Sequence, residues 1–140
     1  MKFTRQATAT WKGTGMEGTG VLSTQSAVLN NTAYSFHTRF KDEKGTNPEE
    51  LIGAAHAGCF AMQLSFLITE TGRTPKELTT RAKVYFEDGS ITRITLYLNG
   101  EVPGMSEKDF RELAQKAKEI CPVSKLLNTL IELEITYVTA

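Results

Sequence analysis

Asn47–Phe66 reads NPEELIGAAHAGCFAMQLSF, and the fold turns on whether this stretch is a surface helix, a buried helix or a membrane span. Its start is marked by Asn47 as N-cap, Pro48 at the first helical position, and Glu49 and Glu50 in the first turn, where the helix dipole favours carboxylates. A C-terminal glycine signal falls at Gly72, so the helix is predicted to run to about there. From Leu51 to Thr69 no charged residue occurs if His56 is neutral, and apolar groups lie all round, the pattern of a helix buried on every side. Such a run nearly spans a bilayer. His56, Gln63, Ser65 and the density of Gly and Ala favour a protein core instead, with no membrane partner. One domain of this size has little material to wrap the helix, and Gly53, Ala54, Ala57 and Gly58 invite close approach. A second copy of the chain could supply the cover.

The chain has 140 residues with 16 basic and 16 acidic side chains. That length fits a single domain, 1–140, able to bury a real core. Zero formal net charge provides no field to draw in a polyanion, so no nucleic-acid partner is expected. The opening MKFTRQATATWKG lacks the apolar run of a secretory signal, and a cytoplasmic location is expected.

Outward from the helix, FTRQATATW (Phe3–Trp11) and TGVLSTQS read as two strands. Between them GTGMEG spells GxGxxG at Gly13, Gly15 and Gly18, but a strand follows it where a dinucleotide fingerprint would open a helix, so it reads as a hairpin connection. AYSFHTRF alternates and is predicted as a strand, with Tyr34, Phe36, Thr38 and Phe40 on one face and Arg39 on the other. LTTRAKVYFEDGSITRITLYLNGEV reads as a hairpin turning at Asp88-Gly89. Ser106 caps a second helix, with Phe110, Leu113, Ala114, Ala117, Ile120 and Cys121 on one face. Pro122 ends it, a short turn follows, and ELEITYVT is the last strand. The predicted class is α+β, with antiparallel sheets, a long buried central helix and a second helix.

Cys59 and Cys121 are the only cysteines, and the 61 residues between them exclude CxxC chemistry. A structural bond closing that loop would stabilise the fold by roughly 4 kcal/mol, but cytosolic disulfides tend to be transient, catalytic or sensory. Taken alone, each cysteine reads first as core filler. Position shifts that reading, since Cys121 abuts Pro122 at a helix end and Cys59 sits in a stretch stripped of bulk. A reactive Cys59 must be a thiolate, and burial raises its pKa from about 8.5. The helix start is about 18 Å away, too far for the dipole to reverse this. A neighbouring cation is therefore required. His56, one turn earlier, is one candidate, and also reads as a hydrogen-bonded core histidine. Arg39 is the stronger, because a guanidinium stays charged where water is scarce; its plainer reading is a solvated strand arginine. Glu49 lies about 15 Å from Cys59 along the helix. If it orients Arg39 beside the thiol, both come from the partner subunit.

TNPEELIGAAHAGCFAMQLS together with EICPVSKLL resembles the OsmC/Ohr family, specifically its OsmC branch, and the likeness extends to GTGVLSTQS and TRF over essentially the whole chain. The resemblance implies an intertwined homodimer and a thiol-dependent peroxidase acting on organic hydroperoxides, and less well on hydrogen peroxide, in oxidative and osmotic stress defence. It implies Cys59 as the peroxidatic cysteine, Cys121 as the resolving one, and Arg39 and Glu49 as the pair that holds and activates the thiolate. No bound cofactor or metal is implied; electrons come from an external thiol, a dihydrolipoyl group being the family's choice. Phe60, Met62 and Phe66 flank the thiol as a candidate apolar wall for the substrate. Two other readings stand beside this one: a non-catalytic dimeric binding module with two structural thiols, and a metal site from His56 and Cys59 with Cys121 or His37.

Overall fold

Strand β1 (Ala7–Lys12) turns through the glycine-rich segment into β2 (Thr19–Thr24), which pairs antiparallel with β3 (Thr32–Tyr34). The order β1-β2-β3 makes a three-stranded antiparallel sheet. Gly20 faces Trp11 on one side and Tyr34 on the other. Their rings meet at 5.4 Å between centroids. A Cβ at Gly20 would stand 2.6 Å from Trp11 Cε3, so this close approach requires glycine.

The computed structural model describes residues 1–139 and divides them into two compact units, Met1–Leu51 and the remainder from Ile52 onward.

The predicted strand over AYSFHTRF is corrected. After Tyr34 the chain leaves the sheet and forms a short helix, α1 (Phe36–Phe40). Ser35 caps it: its hydroxyl accepts from Thr38 N–H at 3.2 Å, while Thr38 Oγ1 accepts from Ser35 N–H at 2.7 Å. This reciprocal pair overrides the alternating pattern. Phe36 and Phe40, read as neighbours on a strand face, instead meet one turn apart with rings 4.9 Å between centroids.

Helix α2 (Pro48–Glu70) begins as predicted, with Asn47 Oδ1 accepting from Glu50 N–H at 2.8 Å. It ends before Gly72, whose φ of +84° suits a residue without Cβ. In the second unit α2 lies on a sheet ordered β4-β5-β6, from β4 (Glu77–Glu87), β5 (Ser90–Glu101) and β6 (Leu130–Val138). A Cβ at Gly53 would stand 3.4 Å from Val84 Cγ2, which brings the helix directly against β4. Asp88 and Gly89 both adopt positive φ in the β4–β5 turn, the primed geometry that matches strand twist. The expected all-antiparallel pairing fails at one ladder, since β6 runs parallel to β5. The connection between them carries α3 (Glu107–Ile120) and α4 (Pro122–Leu126), the long crossover that parallel neighbours require.

Phe60, Leu64 and Ile68 of α2, Ile94, Leu96 and Leu98 of β5, and Phe110, Ala114 and Ala117 of α3 form one buried cluster. Each large side chain there contributes roughly 1.5–3 kcal/mol by leaving water. Phe110 stacks on Tyr137 at 4.4 Å, and the Tyr137 hydroxyl reaches the carbonyls of Val102 and Met105, each at 2.8 Å.

Within one chain α2 is covered along one stripe only. Its covered stripe is Gly53, His56, Phe60, Leu64, Leu67 and Ile68. Ala54, Gly58, Met62 and Phe66 form an exposed stripe at helical spacing, with Met62 64% and Phe66 59% exposed. The helix is long and apolar enough to cross a bilayer, but its buried residues pack into the core just described.

Candidate functional site: a thiol pair and an anchored arginine

Pro122 cannot continue α3 and is well suited to the first position of a new helix. Cys121 therefore sits at the junction of two helices: its N–H donates to Ala117 O at 2.9 Å, and its carbonyl accepts from Lys125 N–H at 3.0 Å. The predicted short turn after Pro122 is this one-turn helix α4. The junction fixes the Cys121 backbone, and its side chain is fully buried in the core that α2 and α3 share.

Cys59, partly buried on α2, lies close enough to Cys121 and to the Val123 backbone for both to act on its ionisation. Both cysteines are reduced. Residues far apart in sequence thus meet because α3 and α2 share one core. Burial pushes the Cys59 thiol up; the Val123 backbone pulls it partly back, and Cys121 pushes it up again. None of these influences is a cation.

His56 does not fill that role. It has no exposed surface, and burial holds its imidazole below the ordinary value, so the neutral ring dominates at neutral pH. Its Nε2 shares a hydrogen bond of 2.8 Å with Ser124 Oγ on α4. Ser124 carried no signal of its own in the sequence beyond its place in CPVS. Among the described residues no group of three or more His, Cys, Asp and Glu could hold a metal ion.

Arg39 and Glu49 belong to the first unit. Arg39 projects from α1, where a strand was expected, and grips Glu49 in the first turn of α2: Nε donates to Oε1 at 3.0 Å and Oε2 at 3.2 Å, and Nη2 to Oε1 at 2.6 Å. Two-point geometry aims the guanidinium as well as holding it. Thr46 N–H donates to Ala33 O at 3.0 Å, and Asn47 Nδ2 to Thr38 O at 3.4 Å, which ties the start of α2 to β3 and α1. Beside Arg39 is a cavity of about 120 Å³ lined by Trp11, Tyr34, Phe36, Phe40 and Pro48. The alternation of Tyr34, Phe36 and Phe40 suggests one flat strand face, which hides the cavity that they form with Trp11.

The three residues expected to form an apolar wall do not share one environment. Phe60 is corrected to a core residue with no exposed surface, because the helical period points it at β5 and α3. Met62 and Phe66 lie on the exposed stripe.

The family model described as OsmC-like protein matches residues 41–136. Peroxiredoxin OsmC of Escherichia coli (strain K12) is 46% identical over 138 residues, covering 96% of each chain. Organic hydroperoxide resistance protein OhrA of Bacillus subtilis (strain 168) is 31% identical over 126 residues, covering 86% of this chain and 87% of its own. The crystal structure of an OsmC-like protein from Mycoplasma pneumoniae superposes with a TM-score of 0.76 at 16% identity, over 99% of this chain and all of that one, a likeness of fold.

Proposed function

The chain belongs to the OsmC-like protein family, and from that premise we propose that it is a thiol-dependent peroxidase that reduces organic hydroperoxides to alcohols. The observation that carries the reading is the juxtaposition of the Cys59 thiol on α2 and the Cys121 thiol at the α3–α4 junction. The Cys59 thiolate attacks the terminal peroxide oxygen, the O–O bond breaks, the alkoxide leaves as alcohol with a proton, and Cys59 becomes a sulfenic acid. The Cys121 sulfur then attacks Cys59, a disulfide forms, and the sulfenic oxygen leaves as water. An external dithiol of the dihydrolipoyl type reopens the disulfide by exchange. The cytoplasm, where thiol reductants are maintained, is the compartment that suits this cycle.

The first step needs a positive charge near Cys59, since burial opposes ionisation there. Arg39, aimed by Glu49, supplies it from a second copy of the chain, stabilising the thiolate and the oxygen that gains charge. A homodimer is supported by the exposed apolar stripe of α2, which a second α2 would cover through Ala54 and Gly58. The aromatic cavity beside Arg39 would receive the organic portion of the peroxide, with Met62 and Phe66 as further apolar surface.

The test is consumption of cumene hydroperoxide with a dithiol as reductant. Cys59→Ser abolishes it, whereas Cys121→Ser completes a first turnover and fails to recycle through the intramolecular disulfide. Undiminished multiple-turnover activity in Cys59→Ser ends the proposal.

A further inference from the structure

We propose that His56 and Ser124 are positioning residues for the resolving step, their hydrogen bond setting the register in which Cys121 meets oxidised Cys59. This rests on the peroxidase reading above.

A buried histidine is costly unless its polar atoms are satisfied. Here only one end is: Nε2 has Ser124 at 2.8 Å, while Nδ1 is buried with no hydrogen-bond partner among the described residues. A leucine at this place in α2 would avoid the orphaned nitrogen. What the imidazole adds is the link to Ser124.

That link has a specific place. His56 and Cys59 are three residues apart on one face of α2, and Ser124 lies on α4, the turn of helix that Cys121 caps. The two segments meet at both positions, with the His56–Ser124 bond as one rung and the thiols as the other. Helix α4 is a single turn with no side-chain cap at Cys121. A turn that short has little stability of its own and takes its position from tertiary contacts.

The second rung changes during the reaction and the first does not. Once Cys59 carries an oxygen, the juxtaposition of the two sulfurs is altered. The His56–Ser124 bond involves neither sulfur and survives, keeping Cys121 in line to attack Cys59 as the sulfenic S–O bond breaks and water departs. Disulfide geometry tolerates little error in Cα separation, so a small drift of α4 is enough to slow the step.

The experiment is a single-turnover reaction of the full chain with cumene hydroperoxide, following sulfenic acid by trapping and disulfide by mass spectrometry. Loss of one buried neutral hydrogen bond predicts disulfide formation about tenfold slower in Ser124→Ala. Sulfenic acid formation slows far less, and excess peroxide drives more Cys59 to sulfinic acid. Ser124→Thr, which keeps the hydroxyl, restores resolution, and His56→Gln, whose amide reaches the Nε2 position, resolves faster than His56→Leu. Wild-type resolution in Ser124→Ala, or equal slowing of both steps, overturns the proposal. If His56→Leu does not fold, the Ser124 pair of variants decides the matter. Failure of the peroxidase reading looks different, because peroxide then leaves wild-type Cys59 unoxidised.

Discussion

Replacing Glu49 with Gln keeps the shape of the side chain and removes the charge that aims Arg39. The pair makes three N–H···O contacts of 2.6–3.2 Å, with 39% of the Arg39 side chain and 15% of Glu49 exposed. An exposed ion pair is worth 0–1 kcal/mol, and a charged hydrogen bond away from water about 1.5–3 kcal/mol. Discounted for partial exposure, the loss here is about 1 kcal/mol of orientation. If the guanidinium must be aimed to hold the thiolate and the developing oxyanion, oxidation of Cys59 slows about fivefold. Stopped-flow oxidation with cumene hydroperoxide measures this directly, and thiolate absorbance against pH supplies the second readout. Only the thiolate attacks, so a raised thiol pKa moves the rise in rate to higher pH. The deficit is largest near neutrality and shrinks in alkali. An unchanged oxidation rate together with an unchanged thiol titration in Glu49→Gln refutes the role given to the pair.

Mixed dimers of Cys59→Ser and Arg39→Met chains test whether the arginine acts in trans: each mixed dimer would retain one complete site and about half the wild-type activity, while inactive mixed dimers contradict it. Tyr137→Phe removes the hydroxyl that reaches two carbonyls and should cost about 1–2 kcal/mol in urea unfolding; an unchanged midpoint contradicts the fold account. Burial depresses the His56 pKa, so its contribution to stability is complete above about pH 6.5, the unfolded value, and is lost as pH falls toward the folded value, because only the unfolded chain takes up the proton. The urea midpoint should fall more between about pH 7.5 and about pH 5.5 for wild type than for His56→Gln; identical pH dependence removes His56 as the cause.

Helix α2 was legible from residue chemistry alone: Asn47, Pro48 and the two glutamates act locally, and the structure keeps their bonds. The hairpin at Asp88-Gly89 was legible for the same reason. The segment after Tyr34 was not, because Phe36 and Phe40 suit either a strand face or a helical i, i+4 pair, and the Ser35–Thr38 bonds that decide between them are a detail of geometry. The direction of β6 depends on how the α3–α4 crossover returns, which no pattern within β6 encodes. In the site, the two cysteines could be singled out by type and surroundings. Their juxtaposition, and the bond from His56 to Ser124, arise from packing between elements distant in sequence.

The most direct measurement is the intact mass and peptide map of the reduced protein after one equivalent of cumene hydroperoxide. The account predicts a loss of two hydrogens and a single linked peptide pair containing Cys59 and Cys121. Unchanged mass, or Cys59 oxidised with Cys121 left as a free thiol, would contradict it.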